Sequence, residues 1–209
     1  EEYTGAQPLD FSANVSPLGV PSGIIKAITD AASTADRYPD PLCRSLCRKI
    51  AQAEQVSENW ILCGNGAADL IFRAVAVCKP KHALIVAPTF AEYEAALAVY
   101  DCQITRYFLR QEDFHLGEDF LQAIQPGMDM VFLCQPNNPT GITTPRELLL
   151  KIAQRCRECR SLLILDECFV DFLDQPQAHT LKTSLADFPG MVILKAFTKM
   201  YAMAGVRLG

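Results

Sequence analysis

The feature that most constrains this chain is a series of short apolar runs, each closed by a polar or glycine-rich cluster. Ile61–Cys63 meets Gly64-Asn65-Gly66, Ala83–Ala87 meets Pro88-Thr89-Phe90, and Met130–Cys134 meets Gln135-Pro136-Asn137-Asn138-Pro139. Leu162–Leu165 meets Asp166-Glu167, and Met191–Leu194 leads into Thr198-Lys199. Gln103–Leu109 reads as one more strand. Helical patterns separate these runs, over Ala67–Cys78, Phe90–Tyr100, Asp119–Ile124 and Pro145–Cys159. The last carries its proline at the first turn, where the missing N–H is least costly. Strands alternating with helices predict an α/β fold, a mostly parallel sheet with helices on both faces. In such sheets a ligand lies outside the carboxyl ends of the strands. The polar clusters are therefore expected along one edge.

The opening, to about Gly19, reads as an extended arm rich in Pro, Ser, Gly and Asn. A helix follows Pro21-Ser22-Gly23, with Ile24, Ile25, Ala27 and Ile28 as its apolar positions. Arg37-Tyr38-Pro39-Asp40-Pro41 is a rigid break, and a second helix is predicted over Leu42–Ala53. The expected organisation is an arm with its first helix over 1–35 and one large domain over 36–209.

Composition narrows the function classes. With 50% hydrophobic and 21% charged residues, the chain is too apolar for disorder and long enough to bury a core. A net charge of −5 with no basic stripe argues against nucleic acid as a partner. Arg155, Arg157 and Arg160 read as a solvated helix face. No apolar run reaches the length of a membrane span, and no signal peptide is read at the start. Most of the nine cysteines, including Cys63, Cys78, Cys102, Cys134 and Cys168, sit in apolar runs, as reduced thiols of a cytoplasmic protein would. Cys156-x-x-Cys159 has no histidine nearby, and no metal site is expected. His82, His115 and His179 are scattered without triad or metal spacing.

The clusters at the strand ends can be taken as parts. Gly64-Asn65-Gly66-Ala67-Ala68 opens a helix with small residues, so free N–H groups and a positive helix end favour a phosphate there. A simple tight turn explains the same residues as well. Asp166 ends a buried run and needs a partner, either a structural one or a cationic ligand atom. Lys199 lies in AFTKMYAMAGVRLG, among apolar and small residues, a setting that favours Schiff-base chemistry. A surface lysine is the plainer reading. Arg207 could hold a phosphate dianion. Together these parts match pyridoxal 5'-phosphate. It needs a lysine for its aldehyde, a carboxylate for its ring nitrogen, a donor to its phenolic oxygen, a flat group on its ring and an anion cradle.

On QPNNPTG, LILDE and FTKMYAMAGVRLG, in that order, the chain resembles the fold-type I pyridoxal-phosphate enzymes of the class I/II aminotransferase family from about Asn14 to Gly209. The resemblance implies a three-layer sandwich and a role for each matching residue. Lys199 carries the cofactor and shuttles protons, Asp166 pairs with the pyridine nitrogen, and Asn138 donates to the phenolic oxygen. Tyr93, in APTFAEYE, stacks on the ring, while Gly66, Ala67, Ala68, Thr198 and Arg207 hold the phosphate. Tyr38, in RYPD, reaches the phosphate across a homodimer interface. A tyrosine packed on its own arm is the alternative.

Within the family the chain is similar to threonine-phosphate decarboxylases and histidinol-phosphate aminotransferases. Two features lean to the decarboxylases. The opening DFSANVSPLG resembles their arm, with Asn14 at the position near the substrate. Phe169, three residues after Asp166, stands where the aminotransferases usually have a tyrosine that bonds the phenolic oxygen. The resemblance implies a lyase acting on L-threonine O-3-phosphate for the cobalamin side chain, with histidinol-phosphate transamination as the alternative. A non-catalytic relative, or a regulator's ligand-binding domain, is disfavoured because Lys199, Asp166, Asn138 and Arg207 are all present. The smaller C-terminal domain of the family is expected to be absent from these 209 residues.

Overall fold

The computed structural model describes residues 13–209. The beginning of the expected arm, residues 1–12, lies outside the described residues, and so do the first three residues of DFSANVSPLG.

Five parallel strands form one sheet in the order β2-β1-β3-β4-β5. They are β1 (His82–Ala87), β2 (Gln103–Phe108), β3 (Met130–Cys134), β4 (Leu162–Asp166) and β5 (Met191–Leu194). The central strand β3 is buried along its whole length, as its uninterrupted apolar run Met-Val-Phe-Leu-Cys requires. The edge strand β2 exposes Gln103, Thr105, Arg106 and Phe108. Successive side chains point to opposite faces, and the core divides accordingly.

On one face Leu84, Val86, Val131, Leu133, Leu163 and Leu165 pack with α5 (Phe120–Ala123) and α6 (Arg146–Cys159). Helix α6 contributes Leu148, Leu149, Ile152, Ala153 and Cys156, the spacing of a single buried stripe. On the other face Ala83, Ile85, Met130, Phe132, Cys134 and Ile164 pack with α3 (Ala67–Cys78) and α4 (Ala91–Ala98). Ile71 and Val75 on α3, and Tyr93, Ala96 and Leu97 on α4, are its buried residues. The result is the expected three-layer α/β sandwich. Each fully buried Leu or Ile contributes about 2 kcal/mol.

The segment before the sheet is less enclosed. Helix α1 (Ser22–Ala32) buries no residue, and α2 (Arg44–Glu54) buries only Cys47. The carboxylate of Asp40 accepts from the amide and guanidinium of Arg44 and so starts α2. At the far end of α2, Glu54 bonds Lys182 at 2.7 Å and Lys195 at 3.0 Å, and Lys195 also reaches Asp171 at 3.0 Å. These pairs fasten α2 to the residue after β5 and to the turns between β4 and β5.

The structure differs from the sequence reading in three of its elements. Ile61–Cys63 pairs with no strand among the described residues, and Leu62 is exposed. Three short apolar residues without a ladder partner do not make a strand. The stretch between β4 and β5 forms α7 (Pro176–His179) and two 3-10 turns, where no element was expected. It mixes Asp, Gln, Pro and Thr with scattered Leu and Phe, and no helical stripe marks it. One further turn of helix, α8 (Phe197–Met200), follows β5 and carries Thr198 and Lys199.

Candidate cofactor site

The sheet order reverses between β1 and β3, because β2 lies outside β1 while β4 and β5 continue beyond β3. Such a reversal opens a crevice at the carboxyl ends of the strands. A cavity of about 200 Å³ lies there. Gly66, Ala67 and Ala68 line it from the start of α3, Phe90 and Glu92 from the start of α4, and Asn138 from the loop after β3. Asp166 enters from the end of β4, followed by Cys168 and Phe169, and Thr198, Lys199 and Arg207 complete the wall. Eight of the residues singled out in the sequence thus meet in one cavity: Gly66, Ala67, Ala68, Asn138, Asp166, Thr198, Lys199 and Arg207.

Asp166 is 4% exposed. Its Oδ2 accepts from the Tyr93 hydroxyl at 2.6 Å, and its Oδ1 accepts from the Cys168 amide at 3.0 Å. Burial, and then the Asp166 charge, pushes the Tyr93 hydroxyl well above its usual range, so it stays a donor. Burial acts the same way on the Cys134 and Cys168 thiols, again with Asp166 as the second cause. No Lys or Arg forms an ion pair with Asp166 among the described residues. A buried carboxylate served only by neutral donors is electrostatically incomplete. It suits a cationic ring nitrogen.

The opposite end suits an anion. Helix α3 begins at Ala67, and no side chain caps its first turn. Its free amides and positive end face the cavity. Gly66 takes φ +83°, and a Cβ there would lie 3.1 Å from the Arg207 guanidinium, so glycine keeps the cradle open. The acidic Asp69 in the same turn does not oppose an anion strongly. Its carboxylate accepts from the Asn65 amide at 2.8 Å and from Arg73 at 2.9 Å. The Asn65 bond leads in holding that carboxyl below its usual range.

Lys199 is half-buried, with Nζ 5.8 Å from the centre of the Phe169 ring. That ring presents its apolar face to the amine and has no hydroxyl to donate. The Ser16 amide donates to the Lys199 carbonyl at 2.9 Å, so the arm runs beside the lysine. Thr198 is buried.

The two asparagines of the PNNP segment divide their work. Asn137 is buried, donates to the Pro88 carbonyl at 3.0 Å and accepts from Thr89 at 3.1 Å, which locks the loops after β1 and β3 together. Gln135 bonds both the amide and the carbonyl of Thr144. Asn138 is left facing the cavity.

Tyr93 is corrected by the structure. It is fully buried, off the cavity wall, and stacked on Phe132 with ring centres 4.8 Å apart. Phe90, one helical turn earlier, is the aromatic residue that faces the cavity from this segment. Glu92, Cys134 and Cys168 also reach the cavity, and the sequence reading had not placed them there. Tyr38 and Asn14 are exposed and lie off the cavity wall. No group of three or more His, Cys, Asp or Glu is arranged to hold a metal among the described residues. Nor is any helix among them long and apolar enough to cross a membrane.

Comparison with known proteins gives the family. Residues 6–209 match the family model for class I and II aminotransferases. The chain belongs to that family. It is 44% identical over 204 residues to a threonine-phosphate decarboxylase of Salmonella typhimurium, covering 97% of this chain and 56% of the relative. It is 34% identical to a histidinol-phosphate aminotransferase of Bacteroides fragilis, covering 100% of this chain and 56% of the relative. The crystal structure of a histidinol-phosphate aminotransferase from Clostridium acetobutylicum superposes with a TM-score of 0.88 at 26% identity, covering 97% of this chain and 59% of that one. The chain thus spans little more than half the length of the curated relatives it matches.

Proposed function

We propose that this chain is the cofactor-binding part of a pyridoxal-phosphate lyase that decarboxylates L-threonine O-3-phosphate. The observation that carries the reading is one cavity joining Lys199, a buried Asp166 without a cationic partner among the described residues, Asn138 and an uncapped helix start beside Arg207. These residues fit the cofactor group by group. Asp166 would hold the ring nitrogen, Asn138 the phenolic oxygen, and Gly66, Ala67, Ala68, Thr198 and Arg207 the phosphate. Phe90 would lie against the ring. When bound, the cofactor supplies an electron sink for charge developing at the substrate α-carbon.

The chain's own residues do the rest. The Lys199 amine is the group that reacts with a carbonyl and then holds or moves a proton at the α-carbon. Ser16 anchors the arm to the Lys199 backbone, and in this reading Asn14, two residues earlier on the arm, would contact the substrate. Tyr38 is fully exposed and unpaired with its own cavity. That exposure suits a side chain serving the site of a second copy in a homodimer. All nine cysteines are free thiols, which suits a reducing compartment, and we assign the protein to the cytoplasm.

Decarboxylation is favoured over transamination by two things. Identity to the named decarboxylase is 44%, against 34% for the named aminotransferase. Phe169, which lacks a hydroxyl, occupies the wall beside Lys199. The test is to supply the full-length protein carrying this chain with L-threonine O-3-phosphate and measure carbon dioxide. Release that depends on pyridoxal phosphate is expected. Amino transfer from histidinol phosphate to 2-oxoglutarate, with no carbon dioxide from the threonine phosphate, would replace this reading with the aminotransferase one.

A further inference from the structure

We infer that Tyr93 is a positioning residue for the cofactor's ring nitrogen, acting entirely through Asp166. The inference rests on the reading that the cavity holds pyridoxal phosphate.

Three observations converge on it. The Tyr93 hydroxyl donates to Asp166 Oδ2 at 2.6 Å, a short bond of the charge-assisted kind. The Tyr93 ring cannot swing away, because Phe132 stacks on it at 4.8 Å and Phe90 meets it edge-on at 5.6 Å. The other oxygen, Oδ1, is fixed by the Cys168 amide. An ionised carboxylate has about four acceptor positions. Tyr93 and Cys168 occupy one on each oxygen and so set the rotation of the group, leaving the remaining lone pairs for the cavity. The connection also runs between layers. Phe90 and Tyr93 belong to one turn of chain at the start of α4, so the residue facing the ring and the residue holding the carboxylate move as a unit.

Removing the hydroxyl should therefore harm cofactor binding only while Asp166 is a carboxylate. Tyr93→Phe keeps the ring and its stacking. Apo protein is titrated with pyridoxal phosphate, binding is followed by visible absorbance, and the four proteins of the Tyr93→Phe and Asp166→Asn cycle are compared. Tyr93→Phe is expected to raise the dissociation constant about tenfold in the parent, the effect of losing one hydrogen bond to a charged group. In the Asp166→Asn background the same change is expected to move it less than about twofold. The melting temperature of apo Tyr93→Phe is measured alongside, since a purely structural role would lower it and weaken binding equally in both backgrounds. Equal losses in the two backgrounds, or no loss in the parent, would overturn the inference. A parent protein that binds pyridoxal phosphate normally while Tyr93→Phe does the same sinks the inference alone. A parent that takes up none sinks the reading beneath it as well.

Discussion

Gly209 and Gly64 exchange two backbone hydrogen bonds, Gly64 N–H to the Gly209 carbonyl at 2.9 Å and Gly209 N–H to the Gly64 carbonyl at 3.2 Å. The contact ties the segment carrying Arg207 to the turn that begins α3. A Cβ on Gly209 would stand 2.6 Å from both the Ala67 nitrogen and the Gly66 carbonyl carbon. Both are backbone atoms and cannot rotate aside. Gly209→Ala should push the two paired segments apart, destabilise the fold by about 1–3 kcal/mol and weaken pyridoxal-phosphate binding. Denaturant unfolding and a cofactor titration check it together. A variant that matches the parent in both would show that the pairing does not shape the cradle.

A second expectation concerns pH. Burial works against the Glu54 charge, yet its bonds to Lys182 and Lys195 prevail and hold the carboxyl below the ordinary value of 4.5. A carboxyl depressed on folding stabilises the protein above its unfolded value, and that contribution is lost as pH falls through the folded value. Glu54→Gln should therefore lie about 2 kcal/mol below the parent at neutral pH. The gap should narrow as the pH drops from about 5 toward 3, because the parent alone loses the interaction. Urea unfolding across that range measures the gap. A constant difference at every pH would remove the charge from the explanation.

The neighbour of Asp166 has a structural task. Glu167 is buried, accepts from the Thr180 hydroxyl at 2.5 Å and from the Leu181 amide at 2.9 Å, and so closes the loop after α7. Burial raises its carboxyl above the ordinary value, against those two bonds. Glu167→Ala leaves both donors unpaired and should destabilise by about 2–4 kcal/mol. Glu167→Gln keeps an acceptor and brings no charge to bury, and should stay within about 1 kcal/mol of the parent. Thermal unfolding of the two variants distinguishes them. Equal losses would mean that the charge, not the acceptor, matters at this position.

Much of this architecture was legible in the residues themselves. The apolar runs Met130–Cys134 and Met191–Leu194 are the strands β3 and β5 to the residue; β3 is buried on both faces and leaves an uninterrupted apolar signature, while β5, at the sheet edge, keeps an apolar run although Val192 is exposed. Lys199 and Asp166 could be picked out because each stands at or after the end of an apolar strand, whereas the glycine turn follows a short apolar piece that forms no strand. Tyr93 was not. Phe90 and Tyr93 are three residues apart on one helical face, and only the rotation of α4 decides which ring meets the cavity and which lies beneath it. The Glu54 pairs were invisible for another reason. Their partner Lys182 is 128 residues away, and no local pattern encodes such a pair.

The most direct measurement concerns Lys199. Adding pyridoxal phosphate to the full-length protein should give a visible absorbance that borohydride reduction fixes covalently to Lys199, identified by peptide mass. Lys199→Ala should retain the fold, lose the covalent mark and lose all turnover of L-threonine O-3-phosphate. If Lys199→Ala were labelled by reduction like the parent and turned substrate over at the parent's rate, the site would have been assigned to the wrong residues.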